Sequence, residues 1–248
     1  RFTAPSANIL VVDDNPINLE VFKSLIRRTL VVPDTADSGD ACISMTADKK
    51  YDLIFLDHMM PEKDGIETMA QIRGDNRNPN IETPVVCLTA NATSGAWEFY
   101  LDAGFNDYMT KPIDPERLED MMVKYLPDDK ITFFADDTDA GTSENAQTPA
   151  KLDAIKELSV DVDAGIALSG SIEDYMMLLQ IFREVFDDRS QELERLFSDK
   201  DYKNYTIKIH ALKSSLLLIG AKTLADAAQE LENAGKSGDY GYIVGNHA

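Results

Sequence analysis

Five short runs of strand length, separated by amphipathic stretches long enough to be helices, recur between residues 8 and 126 of this chain. The runs fall at 8–12, 31–36, 52–57, 84–89 and 106–109. Parallel strands need crossovers of a dozen or more residues, so this alternation predicts a parallel sheet covered by helices on both faces. Pro33 lies inside the second run, where it removes a ladder donor. That strand is therefore expected at a sheet edge.

In an open parallel sheet, ligands bind beyond the carboxyl ends of the strands. Reactive side chains close several of these runs. Asp13 and Asp14 end the first, Asp57 the third and Thr89 the fourth, while Lys111 follows the fifth. If the tips align, three carboxylates, a hydroxyl and an ammonium converge on one basin. Crowded carboxylates raise one another's proton affinity unless a cation sits among them, and oxygen-only ligands suit magnesium. Such a set provides a nucleophile, Asp57, and positive groups for the oxygens of a transferring phosphoryl group. The blander alternative makes each acid an ordinary helix cap facing solvent. His58 directly follows Asp57, so strand alternation turns it away from the basin and predicts a satisfied structural histidine.

Residues 127–150 change character, with acids, Gly, Thr, Ser and Asn crowding a few apolar residues, and predict a solvated linker. Beyond residue 151 strand signals vanish. Apolar residues then recur at spacings of three and four along 172–186, 193–197, 205–219 and 224–231, which predicts an all-helical second domain. The predicted division is 7–126, linker 127–150, and 151–248. Residues 239–248 resemble the approach to a further helix, so the bundle is expected to lack its last helix. On the helix predicted over 204–219, His210, Lys213, Ser214 and Leu217 share one face. Ala211, Leu212, Ser215, Leu218 and Ile219 favour the buried side. An exposed imidazole is a competent nucleophile near neutral pH, with Lys213 one turn away to attract phosphoryl oxygens. A surface histidine beside a surface lysine is the plain alternative.

The net charge of −20, from 44 acidic against 24 basic residues, offers no basic stripe for nucleic acid. No apolar run approaches the ~20 residues needed to cross a bilayer, so no membrane contact by this segment is expected. Cys42 and Cys87 are the only cysteines. Both sit among apolar residues, as buried thiols of a reducing compartment would. No P-loop or glycine-rich ATP lid is present.

The stretches Ile9-Leu-Val-Val-Asp-Asp-Asn-Pro-Ile-Asn18, Asp52-Leu-Ile-Phe-Leu-Asp-His-Met-Met-Pro-Glu-Lys-Asp-Gly65, Val85-Val-Cys-Leu-Thr-Ala-Asn91 and Tyr108-Met-Thr-Lys-Pro112 resemble the receiver domain of response regulators and hybrid histidine kinases. The resemblance implies a doubly wound α/β fold with strand order 2-1-3-4-5 and phosphorylation of Asp57. It implies magnesium held by Asp14, Asp57 and the backbone carbonyl of Met59, with Asp13 acting through water. It gives Lys111 the phosphoryl group, makes Thr89 and Tyr108 the moving switch, and implies a cis bond before Pro112.

Likewise Ile209-His-Ala-Leu-Lys-Ser-Ser-Leu-Leu-Leu-Ile-Gly-Ala221 with Leu231-Glu-Asn-Ala-Gly-Lys-Ser-Gly-Asp239 resembles a histidine phosphotransfer (HPt) domain, from about residue 160 onward. The resemblance implies a four-helix bundle in which His210 carries phosphate and Lys213 supports its charge. Ser214 stands where that family usually has glycine. Together the two implied domains resemble the C-terminal part of a bacterial hybrid sensor histidine kinase. The expected function is a cytoplasmic phosphorelay, with the tail of a membrane-anchored sensor as one setting for it. Its expected partners are a histidine kinase core, whose activity lies in a portion absent here, and a downstream receiver. A linker of about 24 residues reaches roughly 27 Å, enough for Asp57 and His210 to meet in one chain or across two. Two other readings stand beside it: a magnesium phosphohydrolase working through an aspartyl-phosphate, and a docking module gated by phosphorylation. Such hydrolases place a second acid two residues after the nucleophile, where Met59 stands here.

Overall fold

The computed structural model describes residues 2–90, 96–134 and 160–247. Five strands, β2 (Ile9–Val12), β3 (Asp34–Ala36), β4 (Leu53–Asp57), β5 (Val85–Thr89) and β6 (Asp107–Thr110), form one parallel sheet. Their order is β3-β2-β4-β5-β6. Counting these five alone, that is 2-1-3-4-5, as expected. β3 is an edge strand, and it starts only after Pro33 because proline cannot join the ladder.

β4 and β5 are buried along their whole length, which requires cover on both faces. Alternation along the strands splits the core accordingly. Ile9, Val11, Leu53, Phe55, Val86 and Leu88 pack with Phe22, Ile26, Leu118 and Met122 of α1 (Pro16–Ile26) and α5 (Pro115–Tyr125). Leu10, Val12, Ile54, Leu56, Val85 and Cys87 face the other way, toward Cys42, Met69 and Tyr100 of α2 (Gly39–Asp48), α3 (Gly65–Gly74) and α4 (Ala96–Asp102). Asn15, Ser38, Asp64 and Asp114 cap α1, α2, α3 and α5 through their side chains, each contributing about 1 kcal/mol. Asp64 and Glu67 complete a reciprocal capping box. Both cysteines are free and buried.

The expected linker begins later than its composition suggested. Residues 128–130 form a 3₁₀ turn, and β7 (Thr132–Phe133) pairs antiparallel with β1 (Phe2–Thr3), a small sheet not foreseen from sequence. Lys130 explains the return, because its Nζ binds both carboxylate oxygens of Asp52 at 2.8 and 2.6 Å. Ile131 packs on the receiver-like core beside it. The rest of the expected linker, 135–150, lies outside the described residues, as do 151–159.

The second half is helical throughout its described residues: α6 (Val162–Ser169), α7 (Ile172–Ser198), α8 (Tyr202–Leu218), α9 (Lys222–Ser237) and α10 (Tyr240–Asn246). The expected stretches 172–186 and 193–197 merge into the single 27-residue α7. The polar residues 187–192 between them are helical too. Where a helix was expected only to approach, residues 240–246 form α10. Ile243 of α10 joins the bundle core. His247 stacks on Phe197 at 3.8 Å and shares a hydrogen bond with Tyr205. Gly235 permits the close contact of α9 with α8, since a Cβ there would run into Thr206.

The two halves pack against each other through α1. Its Phe22 and Ile26 belong to the sheet core, whereas Ile17 and Val21 join the core of the helical half. An amphipathic helix with apolar residues on two sides must be covered on both.

Candidate functional site

Side chains at the carboxyl ends of β2, β4 and β6 come together although β5 separates β4 from β6. One carboxylate oxygen each from Asp13, Asp14 and Asp57 lies within 4.8 Å of the others. Lys111 follows β6, and its Nζ sits 2.6 Å from Asp13 Oδ2 and 2.8 Å from Asp57 Oδ1. Asp13 and Asp57 are almost completely buried. Burial, and then the neighbouring Asp13, push Asp14 up to about 6. Burial pushes Asp57 well up too, against the pull of Lys111. Lys111 is raised as well: burial disfavours its charge, but Asp13 and Asp57 outweigh that and hold its ammonium above the usual range. Among the described cations, Lys111 alone contacts Asp13 and Asp57, while Lys208 and Arg189 act on Asp14 from the helical half. The hard-oxygen donor set of the three acids fits a small divalent cation.

Local sequence builds the pocket. The Asp13 carboxylate is aimed by the Asn15 backbone N–H at 2.9 Å and by the Asn18 amide at 2.9 and 3.0 Å. Gly65 N–H donates to the His58 carbonyl at 2.8 Å, and a Cβ at Gly65 would collide with the Asp57 carbonyl oxygen. Only glycine lets α3 start this close to the end of β4. Met59 lies in the loop between them. The Lys111-Pro112 bond is cis.

His58 is partly buried, and its Nδ1 meets the Tyr100 hydroxyl at 3.0 Å. Tyr100, which sequence reasoning missed, also donates to Thr89 Oγ1 at 2.9 Å. Thr89 is thus tied to the aromatic cluster through Tyr100. Tyr108 lies beside Tyr100, with ring centroids 5.8 Å apart, and the Arg117 guanidinium stands over the Tyr108 ring at 5.6 Å.

The histidine of the helical half departs from expectation. His210 was expected on an exposed face with Lys213 and Ser214; instead the three are 3%, 5% and 5% exposed. The cause is the apposed α/β half. A cavity of about 140 Å³ between the halves is lined on one side by Asn18, Val21 and Lys111 and on the other by Lys213, Ser214 and Gln229. His210 lies near enough to feel the charge of Lys111. Asn15 bridges the halves, donating to the Ser215 hydroxyl at 2.7 Å and the Ala211 carbonyl at 3.3 Å, and accepting from Arg189 at 2.8 Å. Lys208 stands 4.0 Å from Asp14. Ser215 and Ala211, expected to face the bundle interior, therefore line the boundary.

Glu232 on α9, unassigned by sequence reasoning, organises the histidine. It is fully buried; its Oε1 meets His210 Nδ1 at 2.9 Å and its Oε2 accepts from Lys213 at 2.6 Å. Lys236 binds Oε1 as well. Burial disfavours the carboxylate, yet the bonds from His210, Lys213 and Lys236 outweigh it and hold Glu232 well below the usual range. Burial also lowers His210, more than Glu232 raises it, so the imidazole is neutral near pH 7. An ionised carboxylate only accepts, so Nδ1 carries the proton and Nε2 keeps its lone pair. The signal available in sequence was the spacing of Glu232 and Lys236 along one helix face. The 22-residue step back to His210 had none.

Residues 9–123 match the response regulator receiver domain family and residues 177–241 the Hpt domain family. The chain is 27% identical over 93% of its length to the signal transduction histidine-protein kinase BarA of Shigella flexneri, covering 24% of that protein. It is 26% identical to the aerobic respiration control sensor protein ArcB of Escherichia coli K12, over 92% of this chain and 28% of that one. It thus spans about a quarter of the length of these curated relatives. Among solved structures it is similar to a receiver domain of a Pseudomonas aeruginosa PAO1 sensor histidine kinase, with 30% identity, TM-score 0.44, and coverage of 48% of this chain and 96% of that one. Both families are matched in turn along this chain, and the same stretch aligns with the sensor kinases above, so the chain carries a receiver domain followed by an Hpt domain, a pair that serves phosphorelay signal transduction.

Proposed function

We propose that Asp57 accepts a phosphoryl group from a kinase histidine and that His210 relays it to or from a receiver aspartate. The gathering of Asp13, Asp14 and Asp57 oxygens within 4.8 Å, with Lys111 across two of them, carries this reading. A carboxylate oxygen of Asp57 attacks phosphorus, the P–N bond to the donor imidazole breaks, and an acyl phosphate forms. Lys111 meets the equatorial oxygens while Thr89, tied to Tyr100 and near Tyr108, rearranges toward the new charge. Asp13, Asp14 and Asp57, with the Met59 carbonyl, would hold magnesium, which supplies positive charge to the phosphoryl oxygens when bound.

In the second step Nε2 of His210 attacks the phosphoryl group and the P–O bond to Asp57 breaks. Because Glu232 holds the Nδ1 proton, the ring attacks as a neutral base and the positive charge that develops is met by the same carboxylate. Lys213 stays on Glu232 and Gln229, within reach of the incoming oxygens. Transfer within one chain is favoured by the packing of α1 against α8, since tethering raises the effective concentration of the two sites. The donor is a histidine kinase core and the final acceptor a separate receiver, operating on the cytoplasmic side of a sensor.

Radiolabel chase through Asp57→Ala and His210→Gln tests the route. Full chain incubated with a phosphorylated kinase core should label His210 only when Asp57 is present. Normal labelling of His210 in Asp57→Ala would defeat the cis route. Multiple turnovers on small phosphomonoesters would instead favour the phosphohydrolase.

A further inference from the structure

We propose that the receiver of this chain is the resident cap of its own Hpt domain, latched by Arg27 and Asp174, so that any other receiver must displace it to reach His210. The relay face is closed: His210, Lys213 and Ser214 are nearly inaccessible, and Ile17 and Val21 of α1 are buried in the helical core. A single imidazole can serve one acidic pocket at a time. Occupation by the chain's own receiver and by a downstream one are therefore mutually exclusive.

The contacts holding the cap divide into two kinds. Those at the start of α1, from Asn15 to Ser215, Ala211 and Arg189, and from Asp14 to Lys208, involve residues that build the acidic pocket. A different receiver with the same Asp-Asp-Asn turn could make them equally well. At the other end of α1, about 18 Å away at 1.5 Å per residue, the Arg27 guanidinium grips Asp174 through two parallel bonds of 3.1 and 3.0 Å. Ser24 adds a bond to the Ser169 carbonyl at 3.2 Å. These contacts lie far from the acidic basin and take no part in the chemistry. Asp174 is held for the purpose by Ser171, which donates to the same carboxylate. Bidentate geometry makes this pair stronger and more selective than a single surface contact.

The competitor's part of this proposal rests on His210 as the relay site, but the capping does not, and carbethoxylation by diethyl pyrocarbonate reads capping without any phosphoryl transfer. In the full chain, His210 should modify slowly, while His247, packed on Phe197 away from the boundary, serves as the internal reference. Arg27→Asp places two like charges together and should speed modification of His210 roughly fivefold. The double variant Arg27→Asp with Asp174→Arg should restore slow modification, with His247 unchanged in every case. Arg27 is exposed whereas Asp174 is mostly buried, so far-ultraviolet circular dichroism and urea midpoints are compared for all three proteins, and they should match. Equal His210 rates in all three proteins, or failure of the double variant to restore protection, would overturn the latch. Rapid modification in the unaltered chain would overturn the cap itself.

Discussion

Removing the Glu232 carboxylate should unfold the helical half more readily than any surface change. Glu232 is fully buried and touches three donors, at 2.9 Å from His210, 2.6 Å from Lys213 and 2.5 Å from Lys236. Lys236 is partly exposed and can return to water. Lys213 cannot, because its side chain is 6% exposed and only Gln229 would remain to it. Breaking a buried ion pair by removing one partner costs about 3–5 kcal/mol. Glu232→Ala should therefore lower the stability of the helical half by about 4 kcal/mol. Glu232→Gln keeps an acceptor for Nδ1–H and should recover about 1 kcal/mol of that. Urea unfolding followed by circular dichroism gives both values. Nitrogen-15 chemical shifts of the His210 ring give the tautomer, which should stay Nδ1–H in the unaltered protein and in Glu232→Gln and become mixed in Glu232→Ala. A loss under 1 kcal/mol in Glu232→Ala, or an unaltered tautomer there, would refute the assignment of Glu232 as the group that frees Nε2.

Other consequences can be checked separately. Since His210 is lowered in the folded state, its titration midpoint by NMR should lie below the ordinary 6.5. The unfolded chain then binds more protons between the two midpoints, so the helical half should lose stability as pH falls through about 6.5 and stop losing it below the native midpoint. A midpoint at or above 6.5 would contradict the neutral imidazole. Gly65→Ala should destabilise the receiver by about 1–3 kcal/mol, because the new methyl meets the Asp57 carbonyl, a backbone atom with little freedom to yield. Denaturant titration measures it, and a neutral effect would mean that α3 slides easily. Magnesium at a hundredfold excess over its Kd should raise receiver stability by about 2.7 kcal/mol, and Asp14→Asn should abolish most of that gain. Thermal unfolding with and without the ion decides, and an equal gain in Asp14→Asn would remove Asp14 from the ligand set.

The acidic basin was legible in sequence because chain direction and strand period leave little choice. Once 8–12, 52–57, 84–89 and 106–109 run parallel in one sheet, Asp13, Asp57 and Lys111 must all emerge at the carboxyl ends of its strands, and period-two alternation separates Asp57 from His58. Pro33 marked the edge strand by its missing donor alone. Features set by local covalent chemistry and short-range periodicity could be read directly. Composition is silent where a single long-range bond decides the outcome: the described stretch after residue 126 is mostly exposed, yet Lys130 ties it to Asp52, 78 residues away.

His210 shows the same limit more sharply. Helical spacing correctly grouped it with Lys213 and Ser214, and said nothing of what stands opposite that group. Its burial depends on Ile17 and Val21, nearly two hundred residues earlier, being the second apolar side of a helix whose first side already faces the sheet. Its free nitrogen depends on Glu232 from the next helix. Periodicity defines which side chains share a face, whereas the partner of that face is settled by the balance of apolar burial and paired charge over the whole fold, and only the tertiary structure contains that information.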